Sequence, residues 1–164
     1  MMGSISVRDR SLFKIIKDIA IQFGNSVSPA DCYLALRGMR TMAIRLRQHQ
    51  ETALRLVEWL IERPEVHNIL YPAWPNDPGF ENWKSDFTGA SGLFGVILEP
   101  ISKAAVATFI EGMTHFRIGV SWVVYESLII PAYPERSFAD SPWQERGLLL
   151  RLHAGLEDHR DLIK

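Results

Sequence analysis

The stretch LLLRLHAGLED, residues 148–158, sets one arginine inside a run of leucines and follows it with a glycine and two acids. Such an apolar run has the composition of a buried strand, yet Arg151 is the side chain most costly to bury without a partner. Successive side chains alternate along a strand, so Leu150, Leu152 and Ala154 share one face and Leu149, Arg151 and His153 the other. That places Arg151 at the edge of a core. A guanidinium meets a carboxylate in a planar two-point geometry that lysine cannot copy. Two roles stand open from spacing alone: a structural ion pair, with Glu157 or Asp158 as partner, or an anchor for a substrate carboxylate.

Other residues with chemical potential carry less. The histidines (His49, His67, His115, His153, His159) are scattered, form no HExxH pattern and read as polar surface or satisfied core rather than metal ligands. Cys32 is the sole cysteine, which excludes an internal disulfide and a cysteine zinc cluster. GASGLFG carries Gly89, Gly92 and Gly95, but a phosphate loop needs a strand before it and a helix after it. Here a polar loop precedes and a strand follows, so a glycine-rich strand edge is expected. No GxSxG elbow occurs. Arg37, Arg40, Arg45, Arg47 and Arg55 form a solvated face or an ion-pair seam; without interleaved aromatics they do not describe a nucleic-acid surface.

The elements that must position Arg151 follow from periodicity. MMGSISV reads as a short strand or a frayed end. RDRSLFKIIKDIAIQFG spaces Leu12, Ile15, Ile16, Ile19 and Phe23 as an amphipathic helix stopped by Gly24. Ser28 as N-cap and Pro29 in the first turn then start a helix of roughly thirty residues that Pro64 ends, long enough to serve as a connector. Gly38 weakens its interior. Beyond Pro64, VHNILYP, GLFGVILE, FRIGVSW and GLLLRLHAG read as strands, and SKAAVATFIEGM as a helix capped by Ser102. AWPNDPGFENWKSDFTGASG reads as a long loop, ESLIIPAYPE as short and irregular, and LEDHRDLIK as the beginning of a helix. About four strands, a connecting helix and the long helix predict an α/β (α+β) fold with helices over a mostly antiparallel sheet.

Length and composition set the remaining bounds. The chain has 164 residues, 47% hydrophobic and 23% charged, with a formal net charge of −1. No excess of either sign points to nucleic acid or an anionic membrane. No apolar run is long enough to span a bilayer, and the N-terminus lacks the pattern of a signal peptide. A cytoplasmic protein is the expectation.

Four stretches carry a family resemblance: SPADCYLALRGMRTMAIRLRQHQETALRLVEWL, YPAWPNDPGFENWKSDFTGASGLFGVIL, SWVVYESLI and LLRLHAGLEDHRDLI. Together, and in this order, they resemble the C-terminal part of the Cys/Met-metabolism family of pyridoxal-phosphate enzymes, which has the aspartate-aminotransferase-type fold. Trp122, the WKSDFTG loop and His153 look like the cystathionine β-lyase branch of that family. The resemblance implies that Arg151 binds the substrate α-carboxylate, with the backbone of Ser121 and Trp122 beside it. The implied reaction is α,β-elimination of L-cystathionine to homocysteine, pyruvate and ammonia, with the coenzyme as electron sink and a lysine as Schiff base.

That resemblance also implies an organisation. Residues 1–28 would be a remnant of the large coenzyme-binding domain, 29–63 an inter-domain helix, and 64–164 the small C-terminal domain. The Schiff-base lysine of the family lies in a TK motif that this chain does not contain, so no catalytic residue and no covalently bound pyridoxal phosphate are expected here. Val123 and Val124 stand where the family carries two glycines, a bulkier and stiffer backbone at the carboxylate loop. An amino-acid carboxylate in the intact enzyme, and a second copy or an N-terminal half, are the expected partners.

Overall fold

A computed structural model describes residues 3–121, 124–134 and 147–164. The chain forms two compact units, Met1–Ala43 and Ile44–Lys164.

In the first unit, helix α1 spans Arg10–Gln22. Asp9 caps it: its carboxylate accepts the Ser11 hydroxyl and, at 2.7 Å, the Leu12 amide, which has no partner inside the helix. The helix ends where Gly24 adopts φ 67°, the left-handed conformation that glycine takes without steric cost. Helix α2, Pro29–Leu60, opens with the expected cap: the Ser28 hydroxyl oxygen accepts the Asp31 amide at 3.1 Å. It runs unbroken through Gly38. Its buried residues, His49, Thr52, Ala53, Leu56 and Val57, all lie in its later half, which belongs to the second unit.

The second unit is built on strands β1 (Val66–Leu70), β2 (Leu93–Leu98), β3 (Arg117–Ile118), β4 (Leu128–Ala132) and β5 (Leu149–His153). They form one sheet in the order β1-β2-β5-β4-β3, antiparallel except for the β3–β4 pair. Helices α3 (Phe80–Asp86), α4 (Lys103–Glu111) and α5 (His159–Leu162) complete it. One apolar cluster joins Ile69, Phe94, Val96, Ile129, Leu150 and Leu152 of the sheet to Ala53, Leu56 and Val57 of α2 and to Val106 and Ile110 of α4. Each such leucine or isoleucine contributes roughly 1.5–3 kcal/mol by leaving water.

The mixed α/β class is as expected, but the sheet has five strands where about four were predicted. ESLIIPAYPE, expected to be irregular, contains β4. Pro131 lacks the amide donor that a ladder ordinarily uses. Strand β3 covers only Leu128 and Ile129, so that side of β4 asks no donor of Pro131. Among its described residues, FRIGVSW forms a strand at Arg117 and Ile118. The long polar loop contains α3, where Phe80 and Trp83 stack at 5.7 Å and the Trp83 indole donates to the Gly89 carbonyl at 3.2 Å. GASGLFG is the expected strand edge, with the Ala154 amide on the Gly92 carbonyl at 2.8 Å.

Candidate functional site

Arg151 sits at the centre of the sheet, opposite Gly95 of β2 on one side and Ile130 of β4 on the other. Its neighbours Leu150 and Leu152 are buried in the core while its own side chain is half-buried, as the alternation requires. Neither acid proposed as a structural partner pairs with it. Glu157 accepts from both the amide and the hydroxyl of Ser127, at 2.8 and 2.9 Å. Asp158 caps α5 and pairs with Arg160 at 2.7 Å. Arg151 instead donates through Nη2 to the carbonyls of Gly119, at 3.3 Å, and Val120, at 2.6 Å. Its Nε and Nη1 groups have no partner among the described residues. Two loop carbonyls thus hold Nη2, and the remaining donors stay open.

The described residues of 119–127 are held mainly by β5 and the turn after it, with the Arg117 amide donating to the Ser127 carbonyl at 3.0 Å. Besides the Arg151 bonds, His153 donates through Nε2 to the Val124 carbonyl at 3.2 Å. The Leu156 amide donates to the Tyr125 carbonyl at 2.7 Å, and the Gly155 amide to the Ser127 hydroxyl at 2.9 Å. A Cβ on Gly155 would overlap the Tyr125 carbonyl and the Glu157 carboxylate, so glycine is needed for this close approach. Helix α2 adds the Arg45 guanidinium over the Tyr125 ring at 6.0 Å.

Of the residues expected here, Ser121 is in the loop and exposed, one residue from the Val120 carbonyl that Arg151 holds. Trp122 and Val123 lie outside the described residues. Val124 is half-buried, and its carbonyl is the one His153 engages.

Sequence reasoning missed His49. Its Nδ1 lies 2.8 Å from the Ala154 carbonyl and 3.2 Å from that of Gly155, and its ring centroid is 5.0 Å from that of His153. Both rings are only 1% exposed. Burial, the foremost cause, holds the His153 imidazole below its usual range, with His49 pushing the same way and the Val124 carbonyl opposing. The alternation did put His153 beside Arg151, but nothing local signalled a partner 105 positions from Ala154.

Each of the five lysines is exposed: Lys14, Lys17, Lys84, Lys103 and Lys164. Lys17 lies over the Phe13 ring, Lys84 over Phe80, and Lys164 pairs with Asp161. A lysine that forms Schiff bases needs a sheltered amine of lowered basicity. The described residues therefore do not fit covalent attachment of pyridoxal phosphate. No group of three or more histidine, cysteine, aspartate or glutamate side chains could hold a metal among the described residues. No helix among them is long and apolar enough to cross a membrane.

The whole chain, residues 1–164, matches the family described as Cys/Met metabolism PLP-dependent enzyme. Cystathionine beta-lyase MetC of Escherichia coli is 41% identical over 99% of this chain and 42% of its own length. An L-alanine/L-glutamate racemase of Wolbachia pipientis is 37% identical over 99% of this chain and 41% of its own. Among solved structures, cystathionine gamma synthase of Xanthomonas oryzae in complex with cystathionine superposes with a TM-score of 0.83 at 32% identity. That superposition covers 96% of this chain and 42% of the other. The chain thus spans about two fifths of the length of the curated relatives it matches.

Proposed function

The chain belongs to the Cys/Met-metabolism family of pyridoxal-phosphate enzymes, and from that premise we propose that it is the carboxylate-holding, C-terminal portion of a carbon–sulfur lyase of the cystathionine β-lyase type. The single observation that carries this is Arg151. Its Nη2 is held by two loop carbonyls, its Nε and Nη1 groups are open, and both nearby acids are engaged elsewhere. An ion pair that the fold needed would have used one of those acids.

Pyridoxal phosphate, when bound in such enzymes, supplies the electron sink for cleavage beside the amino-acid α-carbon. This chain's own part is positioning. Arg151 takes one end of the substrate carboxylate, and the backbone at Ser121 and Trp122 lines the other. Carboxylate binding at Nη1 and Nη2 together would displace a loop carbonyl, so substrate binding and loop position are coupled. An anchor of this kind serves any reaction at the α-carbon, which suits both a lyase and a racemase as relatives. The homocysteine-forming elimination of L-cystathionine is favoured by the 41% identity to the lyase.

In this reading, residues 1–28 are a remnant of a large coenzyme-binding domain, 29–63 the inter-domain helix and 64–164 the small domain. The chain by itself is inactive. Incubated with pyridoxal phosphate and L-cystathionine, it releases no pyruvate, and borohydride fixes no coenzyme on a specific lysine. A reducible adduct together with turnover would overturn this. Mixed with the complementary portion of a family relative, it restores pyruvate release. In that mixture Arg151→Lys loses about a hundredfold in kcat/KM, because the two-point geometry is gone.

A second reading, a non-catalytic assembly module, draws on the exposed apolar residues of the first unit, among them Phe13, Ile15, Tyr33 and Met39. Sedimentation separates the two: self-association without activity in any mixture favours the module, and a monomer that is active only when complemented favours half of an enzyme.

A further inference from the structure

We infer that His153, backed by His49, is a positioning residue of the carboxylate loop, with Nε2–H of His153 and Nδ1–H of His49 each aimed at backbone carbonyls. The inference rests on the reading of Arg151 as a carboxylate anchor, because the loop it concerns is the one Arg151 holds.

A carbonyl oxygen only accepts, so a ring nitrogen bonded to one must carry the proton. His49 is therefore protonated on Nδ1, which faces the Ala154 and Gly155 carbonyls, and His153 on Nε2, which faces Val124. A neutral imidazole has one N–H, which leaves His49 Nε2 and His153 Nδ1 as bare acceptors. Both are buried and without a partner among the described residues. A second proton on His153 would add a buried, charged donor with no acceptor among the described residues. The two rings lie 5.0 Å apart, each with its N–H turned to a backbone carbonyl.

What this arrangement does follows from where it sits. Arg151 and His153 project from the same face of β5, two positions apart, and grip one loop at two places: Gly119 and Val120, then Val124. His49 holds the carbonyls just past His153 and so fixes the end of β5 from which His153 reaches out. Simple filling of the core would be met by leucine without two bare buried acceptors. The imidazole pair supplies a directed N–H that leucine could not.

Nitrogen-15 NMR of the labelled chain at neutral pH tests the tautomers directly. The expected result is an Nε2–H form for His153 and an Nδ1–H form for His49; the reverse tautomer or an imidazolium at His153 overturns the inference. Amide exchange then tests the grip. His153→Ala should speed exchange at Tyr125, Glu126 and Ser127 about tenfold, the worth of one hydrogen bond, with Val96 and Ile97 unchanged. His153→Gln, which keeps an N–H donor, should restore protection. Unchanged loop exchange in the alanine variant, or a glutamine variant no better than alanine, overturns the inference. If the alanine variant does not fold, the wild-type tautomers still decide. Titration with L-alanine, followed at the Arg151 Nε–H signal, reads the anchor separately: no response there, with the tautomers as expected, removes the carboxylate reading and leaves the grip standing.

Discussion

The two units use the same helical code and differ in what answers it. In Met1–Ala43, α1 carries an apolar stripe of Leu12, Ile15 and Ile19, yet no side chain of that helix is buried. In Ile44–Lys164, the same spacing on α2 places Ala53, Leu56 and Val57 in a core at 2% exposure or less. Periodicity says that a face wants burial; it does not say that the chain supplies the partner. In the second unit a five-stranded sheet supplies it. In the first, large apolar groups such as Phe23 and Met39 remain in water, at 77% and 65% exposure.

Separating the units gives the largest expected effect. Residues 44–164 alone should unfold cooperatively in denaturant, whereas residues 1–43 alone should show only residual helix by circular dichroism, since short helices without a packed face are marginal in water. A stably helical 1–43 peptide would erase the contrast. Next comes a matched pair of truncations followed by urea unfolding. Leu152→Ala should cost about 2–5 kcal/mol through lost burial and a cavity, and Leu12→Ala, already 45% exposed, less than about 0.5 kcal/mol.

The third contrast is in pH. His153 is held below its ordinary value, so the unfolded chain binds the proton more readily than the folded one. The groups acting on it are His49 from α2, Arg151 from its own strand, and Glu157 and the Val124 carbonyl from the turn and loop. Its stabilising contribution is therefore complete above about pH 6.5 and is lost as the pH falls below that. The urea midpoint should drop between about pH 7.5 and pH 5.5. His153→Gln should flatten the slope, and signals from the first unit should not follow it. The smallest effect concerns two caps of the same chemistry. Ser102→Ala, which frees the Ala105 amide at the start of α4, should lower global stability by about 1 kcal/mol; Ser28→Ala should lower only local helix content.

These contrasts mark how far the sequence was legible. Helix starts at Ser28 and Ser102 and the stop at Gly24 were readable because capping is local chemistry. The face of Arg151 was readable because strand alternation is geometric. Strand β4 was not, since Pro131 is tolerable only beside a neighbour as short as β3. Helix α3 hid among turn residues because seven residues give too little periodicity. The identity of Arg151's partners lay beyond reach, because backbone carbonyls leave no trace in side-chain spacing. His49 was hidden for a related reason: its partners are set by the fold.

Among the described residues, most fasteners of 119–127 originate between Arg151 and Glu157, and Gly155 lets the two segments touch. The two segments therefore form a cassette in the engineering sense. Transplanting one into a relative without the other leaves donors facing mismatched carbonyls, whereas moving both carries the recognition geometry intact. Across descendants of this chain, substitutions in one segment should be tolerated chiefly when the other has changed to suit.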